Sequence, residues 1–160
     1  MRSNIIKLFS VAILAMLTFA GCKKNETYPP VGDYIYIASN LVTGSGPTAS
    51  TTITNSATGK VSVTPAVARV YVNTLKTADV TVTYALSGTA VAGTNYTAPT
   101  SPSITIPAGK WYADISMPVI NATLSGNKTI IITLTAATNN TQVGVGTDRN
   151  YKVFTYTLTN

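Results

Sequence analysis

Ser87 to Ile120 reads SGTAVAGTNYTAPTSPSITIPAGKWYADISMPVI, and its alternation decides the fold. Ile104 and Ile106 lead into a Pro107-Ala108-Gly109 turn. Beyond the turn Trp111, Ala113, Ile115, Met117 and Val119 alternate with Lys110, Tyr112, Asp114 and Ser116. A period of two marks a strand with one buried face, so Trp111 is expected to point inward and Tyr112 outward. Upstream, Val80, Val82, Tyr84 and Leu86 alternate with Asp79, Thr81, Thr83 and Ala85 until the Ser87-Gly88 turn signal. Two strands therefore flank a turn-rich connection from Gly88 to Pro102.

Strand signals recur along the chain. Ile35 and Ile37 alternate with Tyr34 and Tyr36; Ala68, Val70 and Val72 with Arg69, Tyr71 and Asn73; Ile130, Ile132 and Leu134 with Ile131, Thr133 and Thr135. Pro65 suits a strand start, a bulge or an edge. A last strand from Tyr151 to Leu158 would place Phe154, Tyr156 and Leu158 inward. Thr51 to Thr54 is a candidate edge strand inside the ambiguous Thr-, Ser- and Gly-rich stretch from Leu41 to Gly59, and Thr138 to Asn150 reads as a loop. The expectation is an all-β chain, an immunoglobulin-like antiparallel β-sandwich of about seven strands. No internal repeat and no amphipathic helix interrupts it.

The string Gly88-Thr89-Ala90, Ala92-Gly93-Thr94-Asn95-Tyr96, Ile104-Thr105-Ile106-Pro107-Ala108-Gly109 and Ala113 to Ile120 resembles the core signature of Calx-beta domains. The resemblance implies an immunoglobulin-like sandwich of a kind often found in extracellular and adhesion proteins. In calcium-binding members acidic residues stand before the central Tyr and after the strand ending in Val-Ile. Here those positions hold Asn95 and Asn121-Ala122-Thr123. Calcium sites draw charge from several carboxylates, so the fold is expected without strong calcium binding.

The N-terminus carries Arg2 and Lys7, then an apolar run from Leu8 to Phe19, then small residues before Cys22. That is the layout of a secretory signal. Thr18-Phe19-Ala20-Gly21-Cys22 resembles a bacterial lipobox, although Phe19 stands where Leu is usual. The resemblance implies that Cys22 is lipidated and becomes the mature N-terminus, the plainer alternative being a cleaved signal or short anchor with Cys22 incidental. The single Cys of the chain fits a lipid better than a disulfide framework. Lys23 to Pro30 would be a tether, and residues 31–160 one domain. The layout as a whole resembles small surface lipoproteins of Bacteroidota, which implies attachment to the outer membrane and a place on the cell surface.

The chain has 11 Lys and Arg against 5 Asp and Glu, a formal charge of +6, and no His. Loss of Met1 to Gly21 leaves nine basic and five acidic residues, a charge of +4. The cations are scattered singly, which argues against nucleic-acid binding. Glu26 is the only Glu, and Asp33, Asp79, Asp114 and Asp148 are isolated in sequence. Acid–base catalysis needs a positioned proton carrier and transition metals need imidazole or thiolate, so neither an enzyme nor a cofactor or metal is expected. Asp148, beside Thr147 and Asn150, could hold a weak hard cation; an acid capping a turn beside Arg149 is the plainer reading.

Aromatic faces flanked by polar groups remain. Tyr112, Tyr71, Tyr34 and Tyr36 fall on the solvent side by parity and are the candidate ligand-binding residues; Tyr151 falls on the same side. They suit a glycan or a partner protein, while cross-strand packing explains each of them as well. A passive spacer and a calcium-dependent adhesion module are the alternatives.

Overall fold

Alternating β-branched residues leave a chain few ways to hide its apolar side, and here two sheets close over one another. The structure, a computed structural model, describes residues 32–39, 53–139 and 141–160. The expectations for the signal, Cys22 and the tether lie outside these residues, as do Thr51 and Thr52. Among the described residues there are nine strands: β1 (Tyr34–Ala38), β2 (Ser56–Lys60), β3 (Ala66–Val72), β4 (Val80–Ser87), β5 (Ser103–Ile106), β6 (Tyr112–Met117), β7 (Lys128–Ala137), β8 (Gln142–Val143) and β9 (Val153–Thr159). One sheet has the order β6-β3-β1-β8, the other β2-β9-β7-β4-β5.

The core lies between them. Ile35, Ile37, Val70 and Met117 come from the first sheet, and Val80, Val82, Ile132, Leu134, Phe154 and Leu158 from the second, all essentially without solvent exposure. These are the residues that the period-two pattern turns inward. Such a core is held by removal of apolar area from water and by close packing. Tyr84 and Tyr156 are also buried. The Tyr84 hydroxyl reaches the Ser101 carbonyl at 3.0 Å, just after a register shift in β4 between Thr83 and Tyr84.

The sandwich is as expected, but three local readings change. Two further strands, β2 and β8, bring the count to nine, and their pairings with β9 and β1 are parallel, so the sheets are mixed. β8 has only two residues, too few to show alternation, and lies within the stretch expected to be a loop. Gln142 N–H donates to Asp33 O at 2.9 Å and Gly144 N–H to Ile35 O at 2.8 Å, which holds it against β1. β2, Ser-Ala-Thr-Gly-Lys, lacks apolar alternation; it starts at Ser56, after the Thr51 to Thr54 candidate, of which Thr54 is not in a strand.

Trp111 is the third correction, since it is 52% exposed instead of buried. β6 begins one residue later, at Tyr112, so strand parity does not reach Trp111. Its carbonyl accepts the Val72 N–H at 3.0 Å, anchoring the backbone while the indole stays outside.

Phe154 is among the largest fully buried side chains. Replacing it with Ala should cost about 3–5 kcal/mol, read as a lower denaturant midpoint at unchanged slope. A loss below about 1 kcal/mol would show that the sheets collapse around the space instead of packing on the ring.

Candidate functional site

Burial of Ile35, Ile37, Val70 and Val72 leaves Tyr34, Tyr36 and Tyr71 on the opposite face of the four-stranded sheet. Register aligns the rings across strands. Tyr36 stands opposite Tyr71, and Tyr71 opposite Tyr112. The Tyr36 and Tyr71 rings are nearly parallel, 11° apart with centroids at 5.1 Å, and Tyr112 follows at 5.9 Å from Tyr71. Tyr34 branches from Tyr36 at 6.1 Å. All four tyrosines expected from the sequence are therefore brought together.

A fifth ring extends the row. The Tyr151 carbonyl accepts the Ile37 N–H at 2.8 Å, which seats its ring edge-on to Tyr36 at 6.3 Å. The row thus runs Tyr112, Tyr71, Tyr36, Tyr151, with its two ends the most open, at 45% and 39% exposure. Contacts of this kind contribute beyond plain burial and hold the rings in place. Burial raises the Tyr36 phenol above its usual value, and the phenols of Tyr71 and Tyr34 add to the shift.

Arg69 lies over the row. Its Nε and Nη2 donate to Asp114 Oδ1 and Oδ2 at 2.7 and 2.9 Å, and its Cζ sits 3.7 Å from the Tyr112 ring centroid. The bidentate bond to Asp114 pushes the already high Arg69 value further up, against the opposing effect of burial. An exposed ion pair adds little stability; a forked one fixes orientation. Sequence reading placed Arg69 and Asp114 outward but not together. Their signal was phase, since Arg69 is two residues from Tyr71 and Asp114 two from Tyr112.

At the Tyr151 end of the row lies a pocket of about 610 Å³ lined by Thr54, Asn55, Ser56, Asn150 and Tyr151, with Ile53 and Val145. The turn that shapes it is a bridge in which Val145 and Asn150 exchange N–H···O bonds of 2.8 and 3.0 Å. Arg149 and Tyr151 both have left-handed backbone, φ 54° and 55°, uncommon for residues with side chains. Gly144 makes the turn possible, because a Cβ there would stand 2.6 Å from the Arg149 carbonyl oxygen. No single residue of this pocket advertises it in the sequence, since its wall comes from segments about ninety residues apart.

Comparison with known proteins rests on shape alone. No family profile matches the sequence, and no curated protein matches it. Among solved structures, the apo form of the Calx CBD1 domain superposes with a TM-score of 0.57 at 16% identity, covering 79% of this chain and 96% of that one. The chain has the Calx-beta fold. The calcium-binding domain CBD12 of CALX1.1 (TM-score 0.53, 18% identity, 64% of this chain) and CBD12 from CALX1.2 (0.54, 18%, 65%) share it. The chain spans about two fifths of the length of these two.

Of the positions singled out for calcium, Asn95 closes a loop on this Calx-beta fold. Asn95 is buried; its Oδ1 accepts the Val91 N–H at 2.8 Å, its N–H donates to Val91 O at 2.8 Å, and its carbonyl accepts from Ile120 at 3.0 Å. Asn121, Ala122 and Thr123 are exposed. Asp33 is engaged by Lys76 at 2.6 Å and by the Thr74 hydroxyl, which hold its carboxyl below the usual range. Among the described residues no three carboxylate or thiol side chains gather as metal ligands.

Burial raises the phenols of Tyr84 and Tyr156 as well as Tyr36. A phenol that holds its proton more tightly when folded stabilises the fold fully below its unfolded value, about 10, and that contribution is lost as pH rises through the folded value. An absorbance titration should show phenols ionising late, with Tyr36→Phe removing one of them and stability falling above pH of about 10. If all phenols of the folded protein titrate together at the ordinary value, the rings are not packed as described.

Proposed function

We propose that this chain is a lipid-anchored, glycan-binding module of a bacterial outer membrane, displayed at the cell surface. The observation that carries the glycan reading is the pocket at the end of the tyrosine row. Among the described residues its lining is Tyr151 with carboxamide, hydroxyl and apolar side chains, without a charged one. Sugars present the matching surface, apolar C–H faces for an aromatic ring and hydroxyls for neutral donors and acceptors. The row then offers a track away from the pocket, with Arg69 and Asp114 supplying further donors and acceptors along it.

A partner protein is the second reading, favoured by the near-parallel overlap of Tyr36 and Tyr71. Overlapped rings give part of their faces to each other and present edges outward. Exposed tyrosine and arginine on a flat face are also common anchors in protein interfaces. The anchor itself rests on Cys22 and the lipobox-like segment before it.

Native affinity electrophoresis of the mature chain carrying Cys22→Ser, through gels containing different polysaccharides, tests the binding reading. One polymer should retard it, and Tyr151→Ala together with Tyr112→Ala and Tyr71→Ala should restore free migration without unfolding the domain. Free migration of the parent in every gel would remove the glycan reading and leave the partner-protein or spacer role. Separately, Cys22→Ser in cells should move the protein from the membrane to the soluble fraction; retention on membranes would overturn the lipid anchor.

A further inference from the structure

The chain enters the sandwich at one end, and that end carries two large apolar side chains in the open. Gly32 and Asp33 lead into β1, where the Asn73 N–H donates to the Tyr34 carbonyl at 3.1 Å and Lys76 reaches Asp33 at 2.6 Å. The loop between β3 and β4 therefore lies beside the point of entry. The loop between β5 and β6 is tied to it in turn: the Gly109 N–H donates to the Lys76 carbonyl at 2.9 Å, and the Val72 N–H to the Trp111 carbonyl at 3.0 Å. On these joined loops Leu75 is 48% and Trp111 52% exposed, and Lys110, next to Trp111 in sequence, is exposed as well.

Indole favours the boundary between hydrocarbon and water, its apolar body on one side and its N–H on the other. Leucine adds apolar area to be removed from water, and a lysine stem can follow while its ammonium stays wet. Chain length says which boundary lies within reach. Cys22 to Val31 are ten residues, which span at most about 35 Å. An anchor at Cys22 therefore keeps the Gly32 end close to the lipid, and so short a link raises the effective concentration of Trp111 and Leu75 at its surface. The far end of the sandwich, where Val91 is also exposed, stands off by the eight residues of β4, about 26 Å.

We infer that Trp111 and Leu75, with Lys110, seat this end of the sandwich in the headgroup layer of the membrane that holds Cys22, an inference that rests on the lipid anchor proposed above. Orientation follows from the seat. The pocket beside Tyr151 belongs to the other end of β1, where the carbonyl of its Thr54 accepts the Ser39 N–H at 2.9 Å. A domain resting on Trp111 holds that pocket away from the bilayer and open to the medium.

Trp111 is the only Trp of the chain, so its own fluorescence is the readout. The protein purified from cells with its natural N-terminus is reconstituted at low density in vesicles of phosphatidylethanolamine and phosphatidylglycerol. In parallel the unlipidated mature chain is coupled through Cys22, its only thiol, to a maleimide lipid in the same vesicles. In both samples the emission should move to shorter wavelength than in the untethered mature Cys22→Ser chain, and lipids brominated near the headgroup should quench it. Leu75→Glu should lose most of that quenching at an unchanged melting temperature, while Val91→Ser, at the far end, should keep it. Emission of the coupled sample that matches the untethered chain overturns the inference, and so does quenching that survives Leu75→Glu. A shift that grows with protein density and resists brominated lipid also overturns it, assigning Trp111 to a neighbouring protein. If the purified protein stays off the vesicles while the coupled sample shows the shift, the lipid anchor fails and the membrane-seeking end stands.

Discussion

Burial of Ile35 and Ile37 between the two sheets governs what the molecule can display. A pleated strand sends neighbours to opposite faces, so hiding these two isoleucines obliges Tyr34 and Tyr36 to face outward. β3 obeys the same constraint through Val70 and Val72, and register sets its Tyr71 against Tyr36. A slip of one residue would bury the phenols and expose the isoleucines. The tyrosine face is thus the reverse side of the core, and core stability and face geometry rise and fall together.

The turn from Gly144 to Tyr151 converts that face into something with ends. It closes through the Val145–Asn150 bridge and is pinned to β1 by the Tyr151 carbonyl. Left-handed backbone at Arg149 and Tyr151 costs conformational energy, and such strain persists only where surrounding bonds determine it.

The likeness to Calx-beta domains is one of architecture, at 16–18% identity. Folds carry many functions, and a function resides in the site. Asn95 here serves loop closure, with backbone and side chain both engaged. What the chain offers outward instead is tyrosine, carboxamide and hydroxyl.

Much of this was legible in the residues themselves. The alternation in β1, β3, β4, β6, β7 and β9 identified the core and, by parity, Tyr34, Tyr36, Tyr71 and Tyr112 as outward, because side-chain direction in a strand is a local property. It failed at Trp111, where the strand had not yet begun, and at β2 and β8, whose polar or two-residue segments carry no period. Only the tertiary structure decided that the tyrosines form one row, that Arg69 locks onto Asp114 and lies over Tyr112, and that Thr141 is left without a partner. The first two depend on register and on contacts between residues 35 or more positions apart, the third on how the chain packs around a buried hydroxyl, and local sequence does not encode them.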